Sequence, residues 1–309
     1  MSIQQQGVVF SATAWVLCLG AVLLPVAPPQ SELLALSIVI FLFGVPHGAL
    51  DTVYARQLHR VESTAGWAAF GLAYLAIAAL VVGLWVAAPV VFLIGFLLIS
   101  ALHFSGDPQG EAGAVRRVLY GGSVLICPVV LHAPQVRELY SMLAGAAAGD
   151  AVVTASRWMA WPWMIATAVA ALRCAKNDRV GSLELVSVAA LMTLVSPVLA
   201  FTMFFCGMHS LRHAMRTHDY ARTRAWTHLL RVAAPPMLVT GLLTIAGWQF
   251  LQASDFDIRL VQLVFVGLAA LTVPHMILVE RVRFSGWTRG NATSGPEERA
   301  LANARGTRR

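Results

Sequence analysis

The chain has 309 residues, of which 58% are hydrophobic and only 12% are charged. A soluble domain carries about a quarter charged residues, so this composition argues against an ordinary water-soluble globule. The formal net charge of +7 is explained by arginines in the loops and tail of a membrane protein, and no nucleic acid partner is expected. The four scattered cysteines contain no Cys-x-x-Cys pair, so neither a disulfide framework nor a zinc knuckle is predicted.

Long apolar runs without a charged residue recur along the chain, as they do in bilayer-spanning helices. Such continuous runs also exclude a transmembrane β-barrel, whose strands alternate in polarity. We therefore predict an all-α protein, a polytopic transmembrane helical bundle. Nine apolar segments can be marked, at residues 8–27, 33–50, 67–88, 89–106, 118–136, 158–172, 183–208, 232–251 and 260–279.

The segment 158–172 is the doubtful crossing, because it is short and begins with a tryptophan cluster typical of the membrane interface. If it stays at the interface, the chain crosses eight times, and with both termini cytoplasmic 16 of the 22 Lys and Arg residues lie inside. If it crosses, the chain crosses nine times, and with the C-terminal tail cytoplasmic 14 of them lie inside. Because short cytoplasmic loops are rich in basic residues, eight crossings are preferred over nine. Residues 1–283 then form one transmembrane domain, and the basic tail 284–309 is predicted to be disordered and cytoplasmic.

Four histidines, at positions 47, 103, 209 and 213, lie in apolar surroundings near the ends of predicted helices. An imidazole buried in hydrocarbon without partners is unfavourable, so an intramembrane histidine indicates a functional site. His209 and His213 are four residues apart, which places both on one face of the predicted helix. With eight crossings, His47 and His103 lie in the same membrane layer as this pair. The sequence thus predicts a metal site with these four ligands.

Other groups near these histidines are weaker candidates. Asp51 follows His47 by four residues and could accept the spare ring N–H of a ligand histidine, although pairing with Arg56 agrees equally well with the sequence. His275 is a further candidate for this outer role, whereas packing is the simpler explanation for His132. Three or four neutral imidazoles without a thiolate suit iron, copper or zinc, and the sequence does not set the geometry.

The motifs that contain these residues resemble a known family. Gly44-Val-Pro-His47-Gly-Ala-Leu-Asp51, His103 in an apolar helix, Phe-Phe-Cys-Gly-Met-His209-Ser-Leu-Arg-His213 and Pro274-His275 follow one another in the order found in the Brp/Blh family of membrane β-carotene 15,15′-dioxygenases. The resemblance spans about residues 33–283. It implies a multi-pass protein of the bacterial inner membrane that uses Fe(2+) and O2 to cleave the central double bond of β-carotene into two retinal molecules. It also implies that His47, His103, His209 and His213 hold the iron.

An apolar bundle could admit a carotenoid sideways from the membrane lipid and hold it by shape. Alternatives stay open at this point: cleavage of a related carotenoid or apocarotenoid, a di-iron membrane oxygenase, a haem-binding electron carrier, or a transporter with a histidine relay. A di-iron centre is disfavoured because the chain has no adjacent His-His pair. The sequence does not indicate the oligomeric state. Aromatic residues such as Phe96, Phe104, Phe201, Phe204, Phe205 and Trp248 are candidates for contact with the substrate, although core packing or lipid contact is the commoner role for any one of them.

Overall fold

The computed structural model describes residues 1–24, 29–109, 112–221, 225–251 and 255–281. Within these ranges the chain forms helices joined by short turns and contains no strand, so the predicted all-α class is confirmed. The tail 284–309 lies outside the described residues, and its disorder stays a prediction.

Fourteen α-helices and two π-helical segments are numbered here in chain order within the described ranges. The helices are α1 Ile3–Leu23, α2 Pro29–Val39, α3 Pro46–Ala49, α4 Asp51–His59, α5 Thr64–Ala87, α6 Pro89–Phe104, α7 Ala114–Ile126, α8 Pro128–Ala144, α9 Ala146–Cys174, α10 Arg179–Leu194, α11 Pro197–Met203, α12 Leu211–Tyr220, α13 Trp226–Phe250 and α14 Phe256–Arg281. The π-helical segments are Ile40–Gly44, after α2, and Phe204–Ser210, after α11.

Five helical stretches among the described residues are long and apolar enough to cross a membrane. A sixth is added if α7 and α8, which meet at a bend of 48°, count as one span. Helix α6 is apolar but has only 16 residues, about 24 Å at the usual helical rise. A membrane protein is thus supported, but the count of eight crossings is not confirmed. The five stretches are Ile3–Leu23, Glu32–Leu58, Thr64–Ala87, Trp226–Phe250 and Phe256–Val279.

Two apolar segments differ from the helices predicted for them. The prediction of one helix over 183–208 was wrong, because α10 ends at Leu194 and α11 begins at Pro197. Proline lacks an amide donor and disfavours helical geometry in the residue before it, and Ser196 accordingly has a ψ of 141°. The segment 158–172 is no separate element either, since it forms part of the 29-residue helix α9.

The bundle combines an interior core with apolar outer faces. Helix α1 packs on α10, α5 on α14 and α8 on α9. The largest core cluster contains Phe10, Leu185, Phe204 and Met208, all almost fully buried. Helix α5 has no buried residue although its sequence is strongly apolar, and Leu80 is 73% exposed. Because a bilayer solvates such a surface, α5 fits a lipid-facing position.

The two π-helical segments lie against each other in the bundle. Their close approach requires Gly44, because a Cβ atom there would lie 2.4 Å from the Phe205 ring. Such π-helical turns are frequent at functional sites, where they redirect side chains. The first segment ends three residues before His47, and the second contains His209.

Candidate metal centre

Five histidines from distant parts of the chain meet inside the bundle. The His47 ring centroid lies 5.1 Å from that of His209, 5.5 Å from His213 and 5.0 Å from His275. The His103 ring lies 4.4 Å from His209 and 5.2 Å from His275. All but His103 are classed as buried. The structure thus brings together the four residues predicted as ligands and adds His275, which the sequence suggested only for an outer role.

Several of these imidazoles have an unsatisfied nitrogen. The Nε2 atoms of His103, His209 and His275 are buried and have no hydrogen-bond partner among the described residues. One ring nitrogen each from His47, His103 and His275 lie within 4.8 Å of one another. A buried nitrogen without a partner is unfavourable, and clustered imidazole nitrogens are suitable ligands for a divalent transition metal. The donor set therefore fits a metal ion.

Two carboxylates fix the outer nitrogens of two of these rings. Nδ1 of His275 lies 2.7 Å from Asp51 Oδ1, and Asp51 Oδ2 accepts a 3.0 Å hydrogen bond from the Tyr74 hydroxyl. Nδ1 of His209 lies 3.0 and 3.1 Å from the two Asp107 oxygens. A carboxylate acceptor places the ring proton on Nδ1, so that the Nε2 lone pair is free for a metal.

His47 and His213 are held differently. Nδ1 of His47 lies 2.5 Å from the Gly44 carbonyl oxygen and 3.1 Å from Ser210 Oγ. Nε2 of His213, by contrast, lies 3.2 Å from the Tyr54 hydroxyl. His213 therefore lies in the cluster with Nε2 already engaged by a protein group.

The position of Asp51 differs from the arrangement considered in the sequence. The helix that contains His47 ends at Ala49, and Asp51 begins a new one. Its carboxylate contacts His275, on α14, rather than His47. The sequence analysis did not identify Asp107 as part of the site. The available signal was a carboxylate directly after the apolar helix that contains His103.

A buried charge network lies behind Asp107. The Arg212 side chain is fully buried and forms a bidentate pair with Glu184, at 2.7 and 3.0 Å. It also donates to Gln6 Oε1 at 2.8 and 2.9 Å and to the Asp107 carbonyl oxygen at 3.1 Å. The network therefore holds the backbone of the turn whose carboxylate contacts His209. Sequence reasoning missed it, although an arginine in the motif between two candidate ligands was a signal.

An apolar cavity of about 70 Å³ lies beside the cluster. Phe104 and Phe201 line it, and the Phe104 ring centroid is 5.0 Å from that of His209. Phe201 stacks on Phe205 at 5.3 Å. Of the six aromatic candidates for substrate contact, Phe96, Phe104 and Phe201 line this cavity, Phe204 and Phe205 pack next to it, and Trp248 instead contacts Phe256 and Arg259.

Comparison with known proteins identifies the family. The family model described as beta-carotene 15,15′-dioxygenase matches residues 38–282. The chain belongs to this family. The matched range includes all five clustered histidines, Asp51 and Asp107, and the enzyme class predicted from the sequence, a carotenoid-cleaving dioxygenase, is confirmed. Membership in this dioxygenase family leaves the haem carrier and the transporter without support.

Two curated relatives of this dioxygenase are similar over much of the chain. A beta-carotene 15,15′-dioxygenase from uncultured marine bacterium 66A03 is 26% identical over 264 residues, which cover 80% of this chain and 92% of the relative. A protein of Halobacterium salinarum named probable beta-carotene 15,15′-dioxygenase Blh is 27% identical over 205 residues, 56% of this chain and 58% of the relative. No solved structure matches the chain.

Proposed function

We propose that this protein is a non-haem iron(II) dioxygenase that cleaves the central 15,15′ double bond of β-carotene. In this reaction the C=C bond breaks and each of its carbons takes one atom of O2, which gives two retinal molecules without another co-substrate. The observation that carries the proposal is the buried cluster of histidines in a membrane bundle that belongs to this family.

The iron would be held by His47, His103, His209 and His213, the ligands proposed from the sequence. His275 joins them in this proposal, because its buried Nε2 is unpartnered and its Nδ1 is bonded to a carboxylate. When bound, the iron ion would supply the binding and activation of O2. A set of neutral imidazoles without a thiolate is compatible with Fe(2+).

The protein around this centre would orient the substrate and exclude water. β-Carotene dissolves in membrane lipid, so it can enter the bundle from the bilayer. The cavity lined by Phe96, Phe104 and Phe201 offers an apolar surface for the polyene. Exclusion of water from the site would prevent side reactions during cleavage. Neither role requires an acid or a base from the protein.

Expression of the full chain in a carotene-accumulating bacterium tests the proposed function. We expect loss of the yellow colour and accumulation of retinal, identified by chromatography of the extracted pigments. A well-expressed, iron-loaded protein that leaves β-carotene intact would contradict the proposal. Aldehydes of another length would instead support cleavage at a different bond or of a related carotenoid.

Asp51 provides a test of the outer carboxylates. Asp51→Asn keeps the size of the side chain but weakens the acceptor for His275 Nδ1, so iron affinity should fall roughly 10–100-fold. Iron titration of the purified protein measures this. Asp150→Asn is a matched control, because Asp150 forms an exposed pair with Arg137 and such pairs are worth less than about 1 kcal/mol. Equal iron affinity in the two variants would remove Asp51 from the site.

We also propose that the chain crosses the inner membrane eight times with both termini in the cytoplasm. The distribution of arginines supports this topology. Single cysteines introduced in a cysteine-free protein test it with a membrane-impermeant thiol reagent on cells with a permeabilised outer membrane. Glu138→Cys should react and Glu62→Cys should be protected, and the reverse pattern would exclude this topology.

A further inference from the structure

A large cleft opens outside the histidine cluster, at the end of the bundle that contains the Asp107 turn. Its volume is about 940 Å³. Its walls are the first part of α7, the last part of α9 and the first part of α10, together with Gln4 and Gln109. Because three helix ends meet there, we expect the cleft to lie at the depth of the lipid headgroups, where the bundle leaves the hydrocarbon.

Two hydrogen-bond donors in the wall of this cleft lack an acceptor. The Nε2 atom of Gln109 and the Nε atom of Arg116 are buried, and neither has a hydrogen-bond partner among the described residues. The other two nitrogens of Arg116 are engaged, Nη1 by Asp178 Oδ2 at 2.8 Å and Nη2 by the Gln109 carbonyl oxygen at 3.0 Å. A buried donor without an acceptor is unfavourable, and an oxygen atom of a bound molecule would remove this cost.

The start of α7 adds backbone donors to the same cleft. Its N-cap is Gly113, no side chain caps its first amides, and its first turn contains no acidic residue. By contrast, α10 begins at the same cleft with a cap, because Asp178 accepts a 2.8 Å hydrogen bond from the Gly181 amide. Uncapped amides at a helix N-terminus favour a bound anion. The start of α7 therefore agrees with the two side-chain donors.

The charged side chains of the cleft also favour an anion. The two carboxylates in its described wall are already paired, Asp178 with Arg116 at 2.8 Å and Glu184 with Arg212 at 2.7 Å. Positive charge is added by three exposed basic residues in or next to the wall: Arg173, Lys176 and Arg179. An anion in the cleft would thus meet an excess of positive charge.

The other part of the cleft is apolar and opens to the outer surface of the bundle. Val115 is 70% exposed and Val169 is 40% exposed. The same wall contains Leu119, Ala166 and Ala170. An exposed apolar surface of this kind suits contact with lipid chains. A ligand that fits the whole cleft has an anionic group at one end and hydrocarbon at the other, whereas a free phosphate would leave the apolar wall uncovered.

We propose that this cleft binds an anionic phospholipid of the bilayer. Its phosphate accepts hydrogen bonds from Gln109 and Arg116, and Arg173 adds positive charge at the rim. Its acyl chains lie along Val115 and Val169. Basic pockets between membrane helices bind anionic headgroups in this way. The site goes beyond the dioxygenase reaction, because it lies outside the histidine cluster and supplies no reacting group.

A lipid in this cleft should stabilise the turn behind the histidine cluster. Gln109 follows Asp107 by two residues, and its carbonyl oxygen accepts from Arg116. A phosphate bound to both side chains would hold the two groups of this contact together. Because a ligand that binds only the folded protein stabilises it, the midpoint of thermal unfolding should rise with lipid concentration.

Thermal unfolding of the delipidated full-length protein in detergent tests the proposal. Added phosphatidylglycerol should raise the midpoint in a saturable manner, whereas the same concentration of phosphatidylcholine, whose headgroup has no net charge, should raise it much less. Inorganic phosphate separates a lipid site from a site for a free anion, and it should have no effect. Equal stabilisation by phosphatidylcholine would overturn the proposal, as would stabilisation by inorganic phosphate as large as that by phosphatidylglycerol.

Two variants connect this effect to the cleft. Gln109→Glu replaces the unpartnered donor by a carboxylate of the same size, so the apparent affinity for phosphatidylglycerol should fall about tenfold. Arg173→Gln removes one charge near the lipid surface and should lower it about fivefold. The matched controls are Gln57→Glu and Arg157→Gln, which make the same changes at exposed positions outside the cleft lining.

Both controls should keep the affinity of the wild type for phosphatidylglycerol. Because Arg173 is exposed, Arg173→Gln should fold even if Gln109→Glu does not, and its affinity then decides. An affinity unchanged in the folded cleft variants would overturn the proposal, as would an equal loss of affinity in Arg173→Gln and Arg157→Gln.

Discussion

Replacement of His103 or His209 by alanine should abolish both iron binding and carotenoid cleavage. Each residue contributes a buried Nε2 without a partner to the cluster, and the two rings are its closest pair, at 4.4 Å. Loss of one imidazole removes a ligand and opens the site to water. We expect iron content below a tenth of that of the wild type, measured by elemental analysis of the purified variants, and no detectable retinal.

His228→Ala is the matched control for these variants, because His228 is exposed near the start of α13 and is not one of the five clustered histidines. It should retain full iron content and activity. If His228→Ala lost iron as severely as His103→Ala, the separation of ligands from other histidines would be wrong.

The same measurement separates the roles of His213 and His275. The sequence pattern favours His213 as a ligand, whereas the structure gives the unpartnered nitrogen and the carboxylate partner to His275. We expect His275→Ala to lose iron as fully as His103→Ala. Iron content close to that of the wild type would assign His275 to an outer role and leave His213 as the fourth ligand.

The sequence predicted the part of the site that local chemistry reveals. A histidine inside an apolar run is unusual enough to mark His47, His103, His209 and His213 as candidate ligands without a structure. The carboxylate partners depend on contacts between distant parts of the chain. Asp51 and His275 are 224 positions apart, and Asp107 and His209 are 102 apart. No spacing rule within one helix could pair them.

The helical class could also be predicted, but the lengths of individual helices could not. Mean hydropathy stays high across Ser196 and Pro197, so a sliding count of apolar residues does not register the helix break that proline imposes. Helix α9 begins at Ala146, before the apolar segment 158–172. Its first part contains the charged residues Asp150 and Arg157, so a count of apolar residues does not detect it. Counting arginines on each side of a membrane tests topology without measuring helix length. This difference explains why eight crossings were predicted from charge whereas five or six long spans are found among the residues that the structure describes.

Arg212→Met should be the most destabilising substitution outside the histidine cluster. Methionine retains much of the volume of the arginine stem but leaves the Glu184 carboxylate buried without its cation. Removal of one partner from a buried ion pair typically destabilises a protein by about 3–5 kcal/mol. The Gln6 side-chain oxygen and the Asp107 carbonyl also lose donors. The midpoint of thermal unfolding in detergent should therefore fall clearly.

A double variant distinguishes an unpaired charge from a packing defect. Arg212→Met combined with Glu184→Gln removes the buried charge, so it should recover part of the stability lost in Arg212→Met alone. Arg137→Met is the control, because Arg137 pairs with Asp150 where both side chains are exposed, and its effect should be below about 1 kcal/mol. A double variant less stable than Arg212→Met would show that packing dominates.

The Arg212 network should also affect the metal site through Asp107. Arg212 holds the backbone carbonyl of the residue whose carboxylate fixes Nδ1 of His209. In the double variant, which regains stability but still lacks this donor, we expect iron affinity to stay below that of the wild type. Recovery of stability together with wild-type iron affinity would mean that the Asp107 turn keeps its position without Arg212, because Arg216 also donates to the Asp107 carbonyl at 2.8 Å.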